Sequence, residues 1–248
     1  MCKFNYFTNL NNCIKWLVPK WKEPVHRVMF QKILMDYIRS GGVVMPDILQ
    51  RDGLTIEMLS KLSYRSALGI NLKKNLHYFD KEKLVEEIIK VNTWYDGFDE
   101  LHELALDYRI KSIQSAILKY ERYYPDHQAR KVFDDLLGFR SLCDNYEDVL
   151  TLKNIPELRV ADMSKGKAND DGYRGIHVYF QLDGSHYPIE IQYNTYYDRQ
   201  FNNWLHKYVY KKKYDNSVGC HLRELYESAK ILSEQDFKEE LEHVLFDS

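Results

Sequence analysis

The chain has 248 residues, of which 44% are hydrophobic and 29% charged, with a formal net charge of −2. That is enough chain and apolar content for one large domain or two small ones, and the charge balance excludes a bulk nucleic-acid binder, which would be clearly basic. The four cysteines (Cys2, Cys13, Cys143, Cys220) show no CxxC or metal-ligand spacing, and no secretory leader or membrane-length apolar run is seen, so reduced thiols, a cytoplasmic location and no membrane partner are expected.

The first predicted element is an amphipathic helix over 24–39, with Pro24 at its start and Gly41-Gly42 beyond its end. A short helix is expected near 55–62, and a third over 80–93 with Asp80 as its cap. Residues 1–92 therefore read as an all-helical region without a chemical motif. Its stripe of Phe30, Leu34 and Tyr37 must bury against the rest of the chain, a second copy in a homo-oligomer, or a regulatory partner.

Beyond Asp96-Gly97 the pattern changes. A helix over 98–108 leads into an extended Arg109–Lys111 segment, where the period of two points both cations the same way. Ser112 is placed to cap the next helix, on which Ser115, Lys119 and Arg122 share a face. Residues 132–140 read as a strand, and an Asp inside it is costly unless it is paired or binds a cation. Further helices are expected at 145–153, 197–210 and 222–246.

Between the first two of these, Asp183-Gly184 marks a hairpin. A two-residue turn there sets Ile176 opposite Ile191, Val178 opposite Ile189, Phe180 opposite Tyr187 and His177 opposite Glu190, with Gln192 beside Gly175. The aliphatic residues then form one face. His177, Glu190 and Gln192 gather on the exposed other face, which reads as an active-site floor. The element order predicts an α+β fold: a mixed β-sheet flanked by helices over 93–248, preceded by the helical region 1–92.

Arg109, Lys111, Ser115, Lys119 and Arg140 are donors suited to a polyphosphate. Asp135 and Glu190 are the hard oxygen ligands expected for Mg²⁺. There is no GxxxxGK[ST], GxGxxG, HRD or DFG, so P-loop and protein-kinase readings fail.

Four blocks then become informative together: Arg109-x-Lys111-Ser112-x-x-Ser115-x-x-x-Lys119, Asp135-Leu-Leu-Gly-Phe-Arg140, Gly172-Tyr173-Arg174-Gly-Ile-His177 and Glu190-Ile-Gln192. In this order they resemble the synthetase domain of the RelA/SpoT alarmone (ppGpp) synthetase family, and His206-Lys207 resembles part of its following helix. The resemblance implies a nucleotidyltransferase-like fold in a small, single-function synthetase. It implies a GTP/GDP pyrophosphokinase that moves the β,γ-diphosphate of ATP to the 3′-hydroxyl of GDP or GTP, making (p)ppGpp. By position, Arg109 and Arg140 would sandwich the adenine, and Lys111, Ser115 and Lys119 would hold the phosphates. Asp135 would bind Mg²⁺, and Glu190 would share it or take the 3′-OH proton. Tyr173 would stack on the acceptor guanine, with His177 and Gln192 shaping that pocket.

The chain departs from the family on the acceptor side. Ala168-Asn169-Asp170-Asp171 replaces the usual Pro-Lys-x-Asn before Gly-Tyr, Asn194 stands where an Arg follows the Glu-x-Gln motif, and Leu205 replaces the Glu before the helix His. An alternative acceptor is therefore the 3′-terminal adenosine of tRNA, as in toxin-type relatives, with Lys207, Lys211, Lys212 and Lys213 as phosphate contacts. A third reading is an inactive nucleotide-binding regulator. No His-Asp dipeptide occurs, so the hydrolase half of the long bifunctional enzymes is expected to be missing.

Overall fold

The computed structural model describes residues 48–212 and 214–246. The predicted helix over 24–39 with its Phe30, Leu34 and Tyr37 stripe, Cys2, Cys13 and Lys213 lie outside the described residues. Two short helices come first, α1 (Ile48–Arg51) and α2 (Ile56–Lys61), the second capped by the Thr55 hydroxyl, which accepts from Met58 N at 3.2 Å. Helix α3 (Lys81–Asp96) starts under Asp80, whose carboxylate accepts from Lys83 N at 2.9 Å. Its apolar positions Leu84, Ile88, Val91 and Tyr95 are buried.

Next come α4 (Asp99–Glu103) and β1 (Asp107–Ile110). The helix predicted over 98–108 stops early because Leu104 is extended, and Tyr108 instead pairs with Phe139. Ser112 caps α5 (Ile113–Tyr123) as expected, accepting from Ser115 N at 3.3 Å. The strand predicted over 132–140 is corrected to a short helix α6 (Ala129–Val132), a turn carrying Asp134 and Asp135, and β2 (Leu137–Leu142). Fully buried Phe133 and Leu136 anchor that turn, so neither carboxylate has to enter an apolar strand.

The remaining elements are α7 (Tyr146–Leu150), β3 (Leu158–Asp162), β4 (Ile176–Phe180), β5 (Ile189–Asn194), α8 (Tyr196–Trp204, running on as a π-helical stretch to Val209), α9 (Asn216–Glu227) and α10 (Glu234–Phe246). The single helix expected over 222–246 is broken at Ala229, whose φ is +57°. There the amides of Ala229 and Lys230 turn back onto the carbonyls of Tyr226 and Leu225.

The sheet is mixed, in the order β1-β2-β5-β4-β3, with β2 and β5 parallel and every other pair antiparallel. The hairpin register differs from the predicted one. Observed partners are Ile176–Tyr193, His177–Gln192, Val178–Ile191, Tyr179–Glu190 and Phe180–Ile189. The cause is the turn: His186 N donates to Asp183 O at 3.2 Å, so Gly184-Ser185 is its centre rather than Asp183-Gly184. The pairing slips by two residues, which keeps every side chain on its predicted face and changes only its opposite neighbour.

The aliphatic face of the sheet shares one core with the helices before it. Leu54, Leu59, Leu62, Leu72 and Leu76 lie in the same buried cluster as Phe139, Val178 and Ile191. The division expected at residue 92 falls inside α3. A second cluster, with Phe201, Trp204, Leu222, Tyr226 and Phe237, joins α8, α9 and α10. No described helix is long and apolar enough to cross a membrane.

Candidate active site

On the sheet face opposite the aliphatics, strand register sets Arg109, Gly138, Glu190, Tyr179 and Arg159 in one row across all five strands. Asp107, Arg140, Gln192, His177 and Ala161 form the next. One surface therefore gathers cations, a carboxylate, an imidazole, a phenol and an amide, as the period-two reading required.

At the β1–β2 end, full charges dominate. Lys111 Nζ donates to Asp135 Oδ2 at 2.5 Å, Lys119 Nζ donates to Asp135 Oδ1 at 3.2 Å, and Arg109 Nη2 lies 3.6 Å from Asp135 Oδ2. Lys119 also meets Asp134 Oδ1 at 3.1 Å, and Arg159 Nη2 lies 3.7 Å from Asp134 Oδ2. Burial works against the ammonium of Lys119, but Asp135 and Asp134 outweigh it and hold its pKa above the ordinary value. For Asp134 burial wins over Lys119, and its pKa is raised. Ser115 lies exposed on the first turn of α5, where main-chain N–H groups favour an anion. Arg140 is exposed, with Arg199 and His206 close by. Burial, then Arg140, lowers the Arg199 pKa; burial, then Lys211, Arg140 and Arg109, lowers that of His206.

At the β4–β5 end, a phenol, an amide and an imidazole surround one carboxylate. Glu190 is 6% exposed, which corrects its predicted place on an exposed face: Tyr179 and His177 cover it. Tyr179 Oη donates to Glu190 Oε1 at 3.0 Å, Gln192 Nε2 donates to Oε2 at 2.7 Å, and His177 Nδ1 sits 3.0 Å from Oε1. Burial alone would raise the Glu190 pKa. The bonds and charge of His177, helped by Gln192 and Tyr179, reverse this and bring it down to about 2. When His177 donates from Nδ1, its Nε2 accepts from the Tyr173 hydroxyl, 2.8 Å away. Burial pushes the Tyr173 phenol up to about 12. Lys167 Nζ lies 4.9 Å from the Tyr173 ring centroid.

The structure thus brings Asp135 together with Arg109, Lys111 and Lys119, and Glu190 together with His177, Gln192 and Tyr179. Among the described residues no three His, Cys, Asp or Glu side chains form a ready-made metal cage. Mg²⁺ asks for less, one or two carboxylates with phosphate oxygens and water, and Asp135 and Glu190 supply that donor type. Sequence reasoning missed three participants. Tyr179 follows His177 by two on the same strand face and was therefore findable. Asp134 adjoins a named residue. Arg159, whose guanidinium lies 3.9 Å from the Tyr179 ring centroid, needed the β3–β4 pairing. A cleft of about 640 Å³ beside Asp134, Arg159 and Tyr179 is also lined by Lys73, Arg130 and Lys131.

Residues 108–215 match the model of the region found in RelA / SpoT proteins. No curated protein matches the chain by sequence. Among solved structures it is similar to small alarmone synthetase 1 from Bacillus subtilis bound to its product pppGpp, at 19% identity over 65% of this chain and 92% of that one, with a TM-score of 0.38. Small alarmone synthetase 2 from Bacillus subtilis gives 19% identity, 66% and 98% coverage and a TM-score of 0.40. A GTP pyrophosphokinase family protein from Streptococcus pneumoniae gives 17% identity, 66% and 89% coverage and a TM-score of 0.37.

Proposed function

We propose that this chain, whose residues 108–215 match the region found in RelA / SpoT proteins, is a small synthetase of that type and transfers the β,γ-diphosphate of ATP to the 3′-hydroxyl of GDP or GTP. The observation that carries this reading is the division of one site into a cation-rich end around Asp135 and a guarded carboxylate, Glu190, in the adjacent strand rows. Such a site works by positioning and charge neutralisation, which is what phosphoryl-group chemistry needs.

In this reading Arg109 and Arg140 flank the adenine, and Lys111, Ser115 and Lys119 hold the phosphates. Lys111 and Lys119, which contact Asp135, would turn to phosphate oxygens as the nucleotide binds. Mg²⁺ would be held by Asp135 and Glu190 and would neutralise charge on the transferred diphosphate. Tyr173 stacks on the acceptor base, with His177 and Gln192 at its ribose side. A carboxylate with a pKa of about 2 is ionised at neutral pH and a weak Brønsted base. Glu190 is therefore better suited to accept a hydrogen bond from the 3′-OH and orient it than to carry the proton away.

Lys207, one of the four lysines that would contact a tRNA acceptor, pairs with Glu234 at 2.8 Å on the surface, so labelling has to decide between the acceptors. The test is incubation with γ-labelled ATP and, in parallel, GDP, GTP or deacylated tRNA. Label on GDP or GTP is the expected result. Label on tRNA alone overturns this reading, and ATP binding without any labelled acceptor favours an inactive regulator.

A further inference from the structure

Tyr173 sits on the segment between β3 and β4, and each carbonyl from 171 to 174 in that segment is engaged. The Asp171 carbonyl accepts from Tyr210 Oη at 3.4 Å, and the Gly172 carbonyl accepts from Arg223 Nε at 2.8 Å. The Tyr173 carbonyl accepts from Arg174 Nη1 at 2.9 Å, and the Arg174 carbonyl accepts from Asn202 Nδ2 at 2.7 Å and Asn194 Nδ2 at 2.8 Å. Asn202, Tyr210 and Arg223 all belong to the helices that follow the sheet.

Arg223, on α9, is 1% exposed. Its Nη1 donates to Asp198 Oδ1 at 2.7 Å, its Nη2 donates to Asn202 Oδ1 at 3.2 Å, and its guanidinium lies 4.1 Å from the Phe201 ring centroid. Asp198 is also held by Tyr146 Oη at 2.6 Å and Thr195 Oγ1 at 2.9 Å. Burying an ion pair is rarely a better stabiliser than apolar packing. What the guanidinium does that an apolar side chain could not is donate to the loop carbonyl and fix Asn202 in the same plane. The main chains also cross here. A methyl on Gly172, whose φ is +84°, would strike the Gly219 carbonyl, and a methyl on Gly219 would strike the Asp171 carbonyl.

We propose that Arg223, together with Gly219, is a positioning element for the acceptor: α9 clamps the loop bearing Tyr173 and so sets acceptor affinity without setting ATP affinity. This rests on Tyr173 contacting the acceptor nucleotide. The effect reaches the chemistry through the Tyr173–His177 bond and His177's contact with Glu190.

The test uses the full chain. Arg223→Lys keeps a cation beside Asp198 but cannot reach Asp198, Asn202 and Gly172 together. Gly219→Ala places one methyl in the main-chain crossing and leaves every charge alone. ATP dissociation constant, acceptor KM and kcat are measured for each, with a thermal melt to establish folding. In either folded variant the expected result is ATP affinity within about twofold of wild type and acceptor KM raised roughly tenfold or more. An unchanged acceptor KM overturns the proposal, as does an equal rise in ATP dissociation constant and acceptor KM. Failure of both variants to fold assigns Arg223 to stability alone and overturns it too. A wild-type protein that labels no guanosine nucleotide fells the functional reading itself, before any variant is made.

Discussion

Asp135 and Glu190 are balanced by opposite means. Asp135 meets two ammonium groups and a guanidinium, all on flexible side chains that can swing to another anion. Glu190 sits among a phenol, an amide and an imidazole fixed on neighbouring strand positions of the same sheet. The first arrangement exchanges partners easily, because ammonium groups transfer from carboxylate to phosphate at little geometric cost. The second is preorganised and orients one oxygen pair. A ligand entering the first end rearranges charge, whereas a ligand entering the second must fit what is already there.

The most severe way to break this comparison is Glu190→Gln. The amide keeps the size but cannot accept from Tyr179, Gln192 and His177 at once. Turnover should fall about 10²–10³-fold, the range for removing one preorganised hydrogen-bonding group from a site, with ATP binding retained. Turnover within about tenfold of wild type would show that Glu190 is merely packed.

Asp135→Asn attacks the other end. Transfer should fall by about two orders of magnitude or more, as for loss of an electrostatic stabiliser, and the dependence on Mg²⁺ should weaken. Read from sequence, an Asp in an apolar strand would gain stability on neutralisation. The structure reverses that sign, because Lys111 is 11% exposed at its side chain and loses its ionic partner. The expected cost is about 1–3 kcal/mol, read from urea or thermal melts. A more stable Asp135→Asn protein would contradict the pairing.

Tyr173→Ala should act on acceptor use alone. Losing one base–aromatic stack costs roughly 1–3 kcal/mol, so acceptor KM rises several-fold to about a hundredfold while the ATP dissociation constant stays put. Equal damage to both, with a lowered melting temperature, would mark Tyr173 as a core residue.

How much of this was legible in the sequence follows the same division. The cation-rich end was written locally: Ser112 caps α5 three residues before Ser115, Lys111 stands just before that cap, and Lys119 lies on the same helix. Face assignment in β4 and β5 survived because side-chain alternation depends only on parity, even though the turn was misplaced by one residue. The rest needed tertiary pairing. Arg223 lies 51 residues from the Gly172 carbonyl it binds, and no local periodicity marks a buried arginine among Leu222, Leu225 and Tyr226. The strand predicted over 132–140 failed for a related reason: Phe133 and Leu136 are apolar anchors of a turn, and their spacing alone does not distinguish turn from strand.

The smallest effect concerns the pH dependence of stability. Glu190 is shifted from an ordinary value of 4.5 to about 2 in the folded protein, where His177, Gln192 and Tyr179 overcome the burial that would raise it. As pH falls, the unfolded chain takes up this proton first, so acid favours unfolding. The stability that the ionised group contributes is complete above about pH 5 and fades as pH drops toward about 2, where the folded protein also binds the proton. A shift of this size corresponds to on the order of 3 kcal/mol at neutral pH. Glu190→Gln removes the group from the linkage and leaves other surface and ion-paired carboxylates in place, so their contributions cancel in the difference. The melting-temperature gap between wild type and variant should therefore be widest near neutrality and shrink steadily from about pH 5 downward. A gap that stays constant to pH 3 would mean that the carboxylate is not held ionised by its neighbours, and the contrast between the exchanging end and the preorganised end would fall with it.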